Sequence, residues 1–312
     1  MSESAVGAVL GENTFRLVQL GQSENGWKLE NMAEAKLPFK FRLLTLNDDS
    51  RFEEIREAFK KNVAKDGWAQ KTGVAVDRNL LFIKETHVDT NLPSDEVEKQ
   101  VFWEAQQFLP EDLSKSYKVF WVRISPENPF VLLVVFRKLL AERIEQLFKE
   151  SEKTLQNISV DQFAAMAAVE KLFEPKGRLV GLGEVKKETT IITLLKDGNY
   201  FRSKEIDFTD VEDDLLESDQ NLSKEINREI DRLLLESEIN ESDSPISQLY
   251  IFGEKASMSL ASALEGGPAL EVKLANPFEK VEIPEALKDS VAAIENTASW
   301  LVGFGAALEV LA

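Results

Sequence analysis

One short pattern occurs twice in this chain and limits what it can become. Ala5 to Leu10 is an apolar strand, Gly11-Glu12-Asn13 a turn, and Thr14 to Leu20 a second strand with Phe15, Leu17 and Val18 as its apolar members. Ser23 to Gly26 makes another turn, and Trp27 opens a third strand. The same order returns from Arg178 to Glu184, Thr189 to Leu195, the turn Lys196-Asp197-Gly198-Asn199, and Tyr200 to Ile206. Asp-Gly between apolar runs is a strong hairpin signal, because the pair accepts the positive φ angles of a type I′ turn. Helical patterns follow both copies. Ser50 and Glu53 form a capping box ahead of Phe52, Ile55, Phe59 and Val63, with Gly67 as the stop, and Ser223 to about Ile239 carries Ile226, Ile230, Leu233 and Leu234 on one face. A duplicated meander with trailing helices implies two similar α/β lobes facing each other. The 312 residues suffice for two such lobes.

A different unit separates the copies. Thr72 to Val76 and Leu80 to Glu85 read as strands. Ser94 starts a helix with Val97, Val101, Phe102, Ala105 and Phe108 as its stripe, and Pro110 stops it. Tyr117 to Arg123 and Phe130 to Arg137 are two strands, and a helix from Lys138 to about Leu155 follows. Ser159 with Gln162 reads as the cap of a further helix that turns Phe163, Met166, Ala167 and Leu172 inward. Later come an acidic stretch from Glu205 to Asp219, a polar linker at 240–245, a strand from Leu249 to Phe252, a helix from about Ser257 to Leu264, a turn at Gly266-Gly267-Pro268 and a strand from Leu270 to Leu274. The apolar tail from Ala298 to Ala312 reads as a packed C-terminal helix, too short to span a bilayer.

Composition removes whole classes of function. With no cysteine, the chain has no disulfides, thiolate nucleophile, zinc finger or iron–sulfur cluster. Its one histidine, His87, sits in a polar stretch and reads as a surface residue. The 37 basic and 55 acidic residues give a net charge of −18, which argues against non-specific nucleic-acid binding and against direct docking on anionic lipid. No basic, apolar leader opens the sequence, so the expected location is cytoplasmic.

Four segments, in order, carry a resemblance. They are Val97-Glu98-Lys99-Gln100-Val101-Phe102-Trp103-Glu104-Ala105-Gln106-Gln107-Phe108-Leu109-Pro110, Phe130 to Lys138, Ile158-Ser159-Val160-Asp161-Gln162-Phe163-Ala164, and Ala275-Asn276-Pro277-Phe278-Glu279-Lys280-Val281. Together they resemble the PilM family of type IV pilus assembly proteins, within the actin-like ATPase superfamily. The resemblance implies an actin-like ATPase fold of class α/β, two duplicated ribonuclease-H-like lobes with an inserted small α+β subdomain. The expected boundaries are 1–90 for the first part of lobe one, 91–157 for the insertion, 158–177 for the helix completing lobe one, 178–297 for lobe two, and 298–312 for a helix packing back on lobe one.

The fold implied by the resemblance holds ATP and Mg²⁺ between its lobes, on two hairpins and a glycine-rich turn. The first hairpin falls on Val9, Gly11, Glu12 and Asn13, where the family pattern reads DIGSSS. Val9 replaces the aspartate and cannot serve a metal. Glu12 would set a carboxylate against a phosphate, a repulsion of about 4 kcal/mol at 4 Å and an effective dielectric of 20. The second hairpin falls on Glu184 to Thr190 against DIGASTT, so Glu184 lengthens the aspartate and Lys186 replaces a glycine. A shifted register using Gly181-Leu182-Gly183 is the alternative. The adenosine turn falls on Gly253, Glu254 and Lys255 against TGGGA. With all three positions altered together, the expectation is a pseudo-ATPase without a cofactor. Weak ATP and Mg²⁺ binding, or the cytoplasmic L-protein type of type II secretion, stand as alternatives. A kinase of the superfamily would need a carboxylate base near the γ-phosphate, and Val9 counts against it.

Without catalysis, function lies in surfaces. The resemblance implies a partner, the cytoplasmic N-terminal segment of a PilN-like bitopic membrane protein, held in a groove beside the inserted subdomain. Trp103, Gln107, Phe120 and Trp121 are the candidate contacts, with Trp103 favoured because it lies off the helix stripe. A homo-oligomer is a further expectation, and the chain would sit at the inner membrane through its partner rather than by insertion.

Overall fold

The computed structural model describes residues 3–11, 13–24, 26–37, 41–63, 67–89, 91–109, 113–124, 130–151, 153–208, 218–237 and 246–311. The first meander forms β1 (Ser4–Leu10), β2 (Thr14–Ser23) and β3 (Gly26–Lys36). Then come α1 (Leu43–Asn47), α2 (Asp49–Val63), β4 (Lys71–Val76), β5 (Phe82–His87), α3 (Ser94–Phe108), α4 (Leu113–Ser116), β6 (Tyr117–Arg123), β7 (Phe130–Arg137), α5 (Lys138–Glu150), β8 (Thr154–Val160) and α6 (Asp161–Phe173). The second meander is β9 (Leu179–Val185), β10 (Thr189–Lys196) and β11 (Asn199–Asp207). It is followed by α7 (Asp219–Glu236), β12 (Gln248–Phe252), α8 (Met258–Leu264), β13 (Val272–Leu274), α9 (Glu285–Ala292) and α10 (Leu301–Val310).

Pairing makes the duplication explicit. One sheet has the order β3-β2-β1-β4-β8 and the other β11-β10-β9-β12-β13. In each, the meander is antiparallel and the remaining strands join it in parallel. The order and the trailing helices are those of two ribonuclease-H-like lobes of one actin-like fold. The second hairpin turns as the Asp-Gly signal requires, with Asp197 at φ 52° and Gly198 at φ 81°.

Two helices join the lobes. α6 and α10 are rich in small residues, and α10 presses on β1, β2 and β4 of the first lobe as well as on α6. The approach is close enough that side chains are excluded. A Cβ on Gly7 would lie 2.0 Å from the Gly303 carbonyl oxygen, and one on Gly305 would lie 1.7 Å from that of Ala164. One continuous apolar core therefore runs from β1 and β2 through these helices into β9, β10 and β12. The tail helix is buried from Leu301 through Leu308, as its apolar composition requires. Among the described residues no single helix is long and apolar enough to cross a membrane; the pair of α9 with the C-terminal helical segment meets the length test only across a 117° bend.

Several local expectations change. Asp48, not Ser50, caps α2, its Oδ1 accepting from the Ser50 and Arg51 amides at 3.0 and 3.3 Å. The helix after β7 stops at Glu150, and the run read as its end is β8, so Ser159 is a strand residue whose hydroxyl donates to Glu309 Oε1 at 2.9 Å. The small sheet has the order β5-β7-β6. The strand Phe82–His87 thus belongs to the insertion rather than to the lobe ending at 90, while β8 pairs with β4 in the first lobe. The inserted unit spans 82–137 by pairing, instead of 91–157. On α3, Val97, Val101 and Ala105 are buried, but Phe102 and Phe108 are exposed, so the inward stripe is narrower than expected. His87 is exposed, with its ring 5.4 Å from that of Phe130. The linker at 240–245 and most of the acidic stretch, 209–217, lie outside the described residues.

Candidate functional site

Five parallel strands end at one place. β1, β4 and β8 of the first lobe and β9 and β12 of the second point their C-terminal ends into the cleft between the lobes, the usual location of ligand sites in open α/β sheets. The residues just past those ends line the cleft: Leu10 and Gly11, Asp77, Asp161, Lys186 with Lys187, and Gly253 with Glu254. The first hairpin closes by the Gly11 amide donating to the Thr14 carbonyl at 3.0 Å, and the second by the Lys186 amide donating to the Thr189 carbonyl at 2.9 Å. The turn after β12 is tied to the second hairpin, for the Lys255 amide donates to the Val185 carbonyl at 3.0 Å. Asn296 Nδ2 holds that turn from outside through the carbonyls of Gly253, Glu254 and Ala256.

At the centre stands an ammonium group. Lys186 Nζ lies 3.0 Å from Asp77 Oδ2, 3.1 Å from Asp161 Oδ2 and 3.3 Å from Glu184 Oε1. Asp77 and Asp161 come from lobe one, and Glu184 and Lys186 from lobe two, so the cluster bridges the cleft. Each carboxylate has local support as well. Asp77 Oδ1 accepts from the Asn79 amide at 2.8 Å, and Asp161 Oδ1 from the Gln162 amide at 2.8 Å. Glu184 Oε2 is buried with no hydrogen-bond partner. Burial raises the Asp161 carboxyl and lifts that of Glu184 to about 8, against the pull of Lys186. Burial also works against the charge of Lys186, but the carboxylates of Glu184, Asp161 and Asp77 outweigh it and hold the amine well above its ordinary value. The free space left amounts to about 90 Å³, room for a few waters, against the roughly 300–1,000 Å³ of small-molecule sites.

Two further ties cross between the parts. Gln162 Nε2 donates to Thr193 Oγ1 at 2.7 Å. Glu85, on β5 of the inserted unit, accepts from Tyr200 and Arg202 of β11 at 2.7 and 2.6 Å and from the Ser203 amide at 3.2 Å.

Of the sequence candidates, Val9, Gly11, Glu184, Lys186, Gly253 and Glu254 line the cleft together. Glu12 lies outside the described residues. Asn13 faces a neighbouring groove with Arg16, Met32 and Trp300. Lys255 does not line the cleft and contributes its backbone amide. The alternative register is overturned, because Gly181-Leu182-Gly183 lies inside β9, paired on both sides. Asp77 and Asp161 were not singled out for the cleft; each is the first residue after a strand that pairs in parallel, a signal that needs the sheet order to be read. A divalent cation cannot sit among the three carboxylates while Lys186 Nζ stands there, and Val9 offers no oxygen. These residues do not fit a metal-bound triphosphate.

The inserted unit presents a different surface. Val97, Val101 and Ala105 of α3 pack on Tyr117, Val131, Leu133 and Val135, with Trp121 half-buried beside them. Trp121 is thus part of that small core. Trp103 is 57 % exposed on the outer side of α3, with Phe102, Gln106, Asp95 and Glu98 around a shallow open hollow. Gln107 is exposed near it. Phe120 is 53 % exposed and lies on the other face of the sheet, its ring 5.9 Å from Phe136 in an edge contact. That face, through Leu132, Val134 and Phe136, packs on the first lobe. Trp103 and Phe120 therefore do not form one patch.

Comparison with known proteins decides the family. The sequence family described as type IV pilus assembly protein PilM matches residues 7–216. This chain belongs to the PilM family of type IV pilus assembly proteins. A solved PilM–PilN type IV pilus biogenesis complex superposes with a TM-score of 0.68 at 17 % identity, covering 99 % of this chain and 98 % of that one. A Bacteroides thetaiotaomicron protein of actin-like ATPase fold and unknown function gives 0.51 at 10 % identity, covering 88 % and 92 %. The cytoplasmic domain of EpsL from the Vibrio cholerae type II secretion system gives 0.49 at 12 % identity over 95 % and 98 %, too low to argue from. At these identities the structural likenesses establish the fold. No curated protein sequence matches the chain.

Proposed function

We propose that this member of the PilM family is a non-catalytic scaffold, cytoplasmic and peripheral to the inner membrane, that holds the cytoplasmic N-terminal segment of a PilN-like membrane protein. The observation carrying the reading is where the chain leaves apolar surface unpaired. Of nine exposed large apolar side chains among the described residues, five (Phe102, Trp103, Phe108, Phe120 and Val122) belong to the unit 82–137. Exposed large apolar side chains concentrated on two faces of one small unit favour that unit as the interaction surface. A solved relative is a PilM–PilN complex, which makes a PilN-like protein the partner to try first.

Phe120 and Val122 are the better anchors. They alternate on β6, an edge strand of the small sheet, on the face that turns toward the first lobe. A segment laid there would gain apolar contact and a sheet edge at once. The hollow beside Trp103 on α3 carries Asp95, Glu98 and Lys99, with Lys99 3.8 Å from Asp95. The cleft supports the other half of the reading, since Lys186 stands where a nucleotide's cation would be needed.

The test is fluorescence anisotropy with a labelled N-terminal peptide of the bitopic protein encoded beside this chain. Saturable binding that Phe120→Ala weakens is expected. No binding, or binding indifferent to both Phe120→Ala and Trp103→Ala, contradicts the surface proposed.

A further inference from the structure

The three carboxylates of the cleft are arranged as ligands around a point rather than as a chain of pairs. The Lys186 ammonium donates to Asp77 Oδ2 and Asp161 Oδ2 and pairs with Glu184 Oε1 at 3.3 Å, three oxygens from three different elements. Asp77 stands at the end of β4, Asp161 at the start of α6 and Glu184 near the end of β9. All three residues are more than nine-tenths buried. The oxygen set also exceeds what one ammonium can satisfy, because Glu184 Oε2 is buried, unpartnered and part of the same cluster. Among the described residues no group of three or more His, Asp or Glu side chains is set to hold a metal ion, and these three carboxylates stand instead around an ammonium.

We propose that Asp77, Asp161 and Glu184 form a divalent-cation site filled in cis by the ammonium of Lys186, which latches the two lobes without metal or nucleotide. The inference deepens the reading of the cleft as non-catalytic and rests on it. Hard cations of this class take carboxylate oxygens at about 2.0–2.6 Å. Oxygens now 3.0 to 3.3 Å from Nζ would move inward by about 0.4 to 1.3 Å. The lysine reaches the site because it occupies the second hairpin, where its backbone is already anchored by the Thr189 carbonyl. A tethered cation costs no association entropy and does not leave, so the cleft stays closed at every nucleotide level.

The latch is tested by removing the tether and supplying the ion. Mn²⁺ is titrated, with electron paramagnetic resonance detection and no nucleotide, into the full chain as wild type, as Lys186→Ala, and as Lys186→Ala with Asp161→Asn. The wild type should bind only at surface background level. Lys186→Ala should bind one Mn²⁺ at least about tenfold tighter than that background, and the added Asp161→Asn should remove the gain. Melting in the presence and absence of Mn²⁺ covers a variant too unstable to fold alone: Lys186→Ala should be rescued by Mn²⁺ while the wild type is unmoved. A folded Lys186→Ala with no gain in Mn²⁺ affinity overturns the proposal. So does a gain that survives Asp161→Asn, or an unfolded variant that Mn²⁺ leaves unfolded. No nucleotide enters the experiment, so its result is independent of whether the wild type is later found to bind ATP.

Discussion

The cleft and the outer surface of the inserted unit use their side chains in opposite ways. In the cleft, charged groups from both lobes turn inward onto one ammonium, leaving Glu184 Oε2 as the one carboxylate oxygen of the cluster without a hydrogen-bond partner and about 90 Å³ of free space. On the inserted unit, aromatic groups turn outward and stay exposed even where one ring meets another, as Phe120 meets Phe136 and Phe108 meets Phe82. A site built to receive a ligand leaves its polar groups waiting; a site built to hold shape closes them. On the reading proposed above, the cleft serves as structure and the insertion as the working surface. Glu85 joins the two regions, since it sits on β5 of the insertion and is gripped by Tyr200 and Arg202 of the second lobe.

The contrast can be broken at its strongest point first. Lys186→Met leaves the buried Asp77, Asp161 and Glu184 without their cation and should cost about 3–5 kcal/mol in denaturant unfolding. Adding Glu184→Gln should recover part of that loss, and an unchanged midpoint for the single variant would mean the latch carries no weight.

Acidity reads the same cluster. The Glu184 carboxyl sits at about 8 in the folded chain, above its ordinary value of 4.5. Between those limits the folded state keeps a proton that the unfolded state has released. The stability it contributes is therefore complete in acid and lost as pH rises through about 8. Glu184→Gln should accordingly lose less stability than the wild type between about pH 5 and 9, measured by urea midpoints.

Glu85→Gln removes a charge that both Tyr200 and Arg202 face and should cost about 1–3 kcal/mol. It should also weaken partner binding if the insertion depends on the second lobe for its position, which anisotropy will show. The surface substitutions sharpen the other side. Phe120→Ala should lower partner affinity by about 1–2 kcal/mol, and Trp103→Ala by less, while each moves stability by no more than about 0.5 kcal/mol. Equal loss of stability would place these rings in the core instead.

Much of this plan is written locally. The duplicated meander is legible because Asp197-Gly198 and the short apolar strands are local signals, and the C-terminal helix because its small apolar residues permit only burial. The limits of the insertion are not, since Phe82–His87 and Thr154–Val160 are short strands that differ only in which strand they join. β8 hides further, because Gln156, Asn157 and Ser159 make it read as polar helix and cap. In the cleft, Lys186 is visible as an intruder in a glycine position. Glu184 is visible beside it, but Asp77 and Asp161 are not, for Asp77 lies 109 residues away and meets it only when the sheets face each other. Phe108 was assigned inward by spacing, but the core of three small strands accommodates only Val97, Val101 and Ala105.

The most direct measurement is a calorimetric titration of ATP with Mg²⁺ into the wild-type chain. With Lys186 as the resident cation, no saturable binding is expected up to millimolar nucleotide. Micromolar, Mg²⁺-dependent binding with release of phosphate would contradict the account.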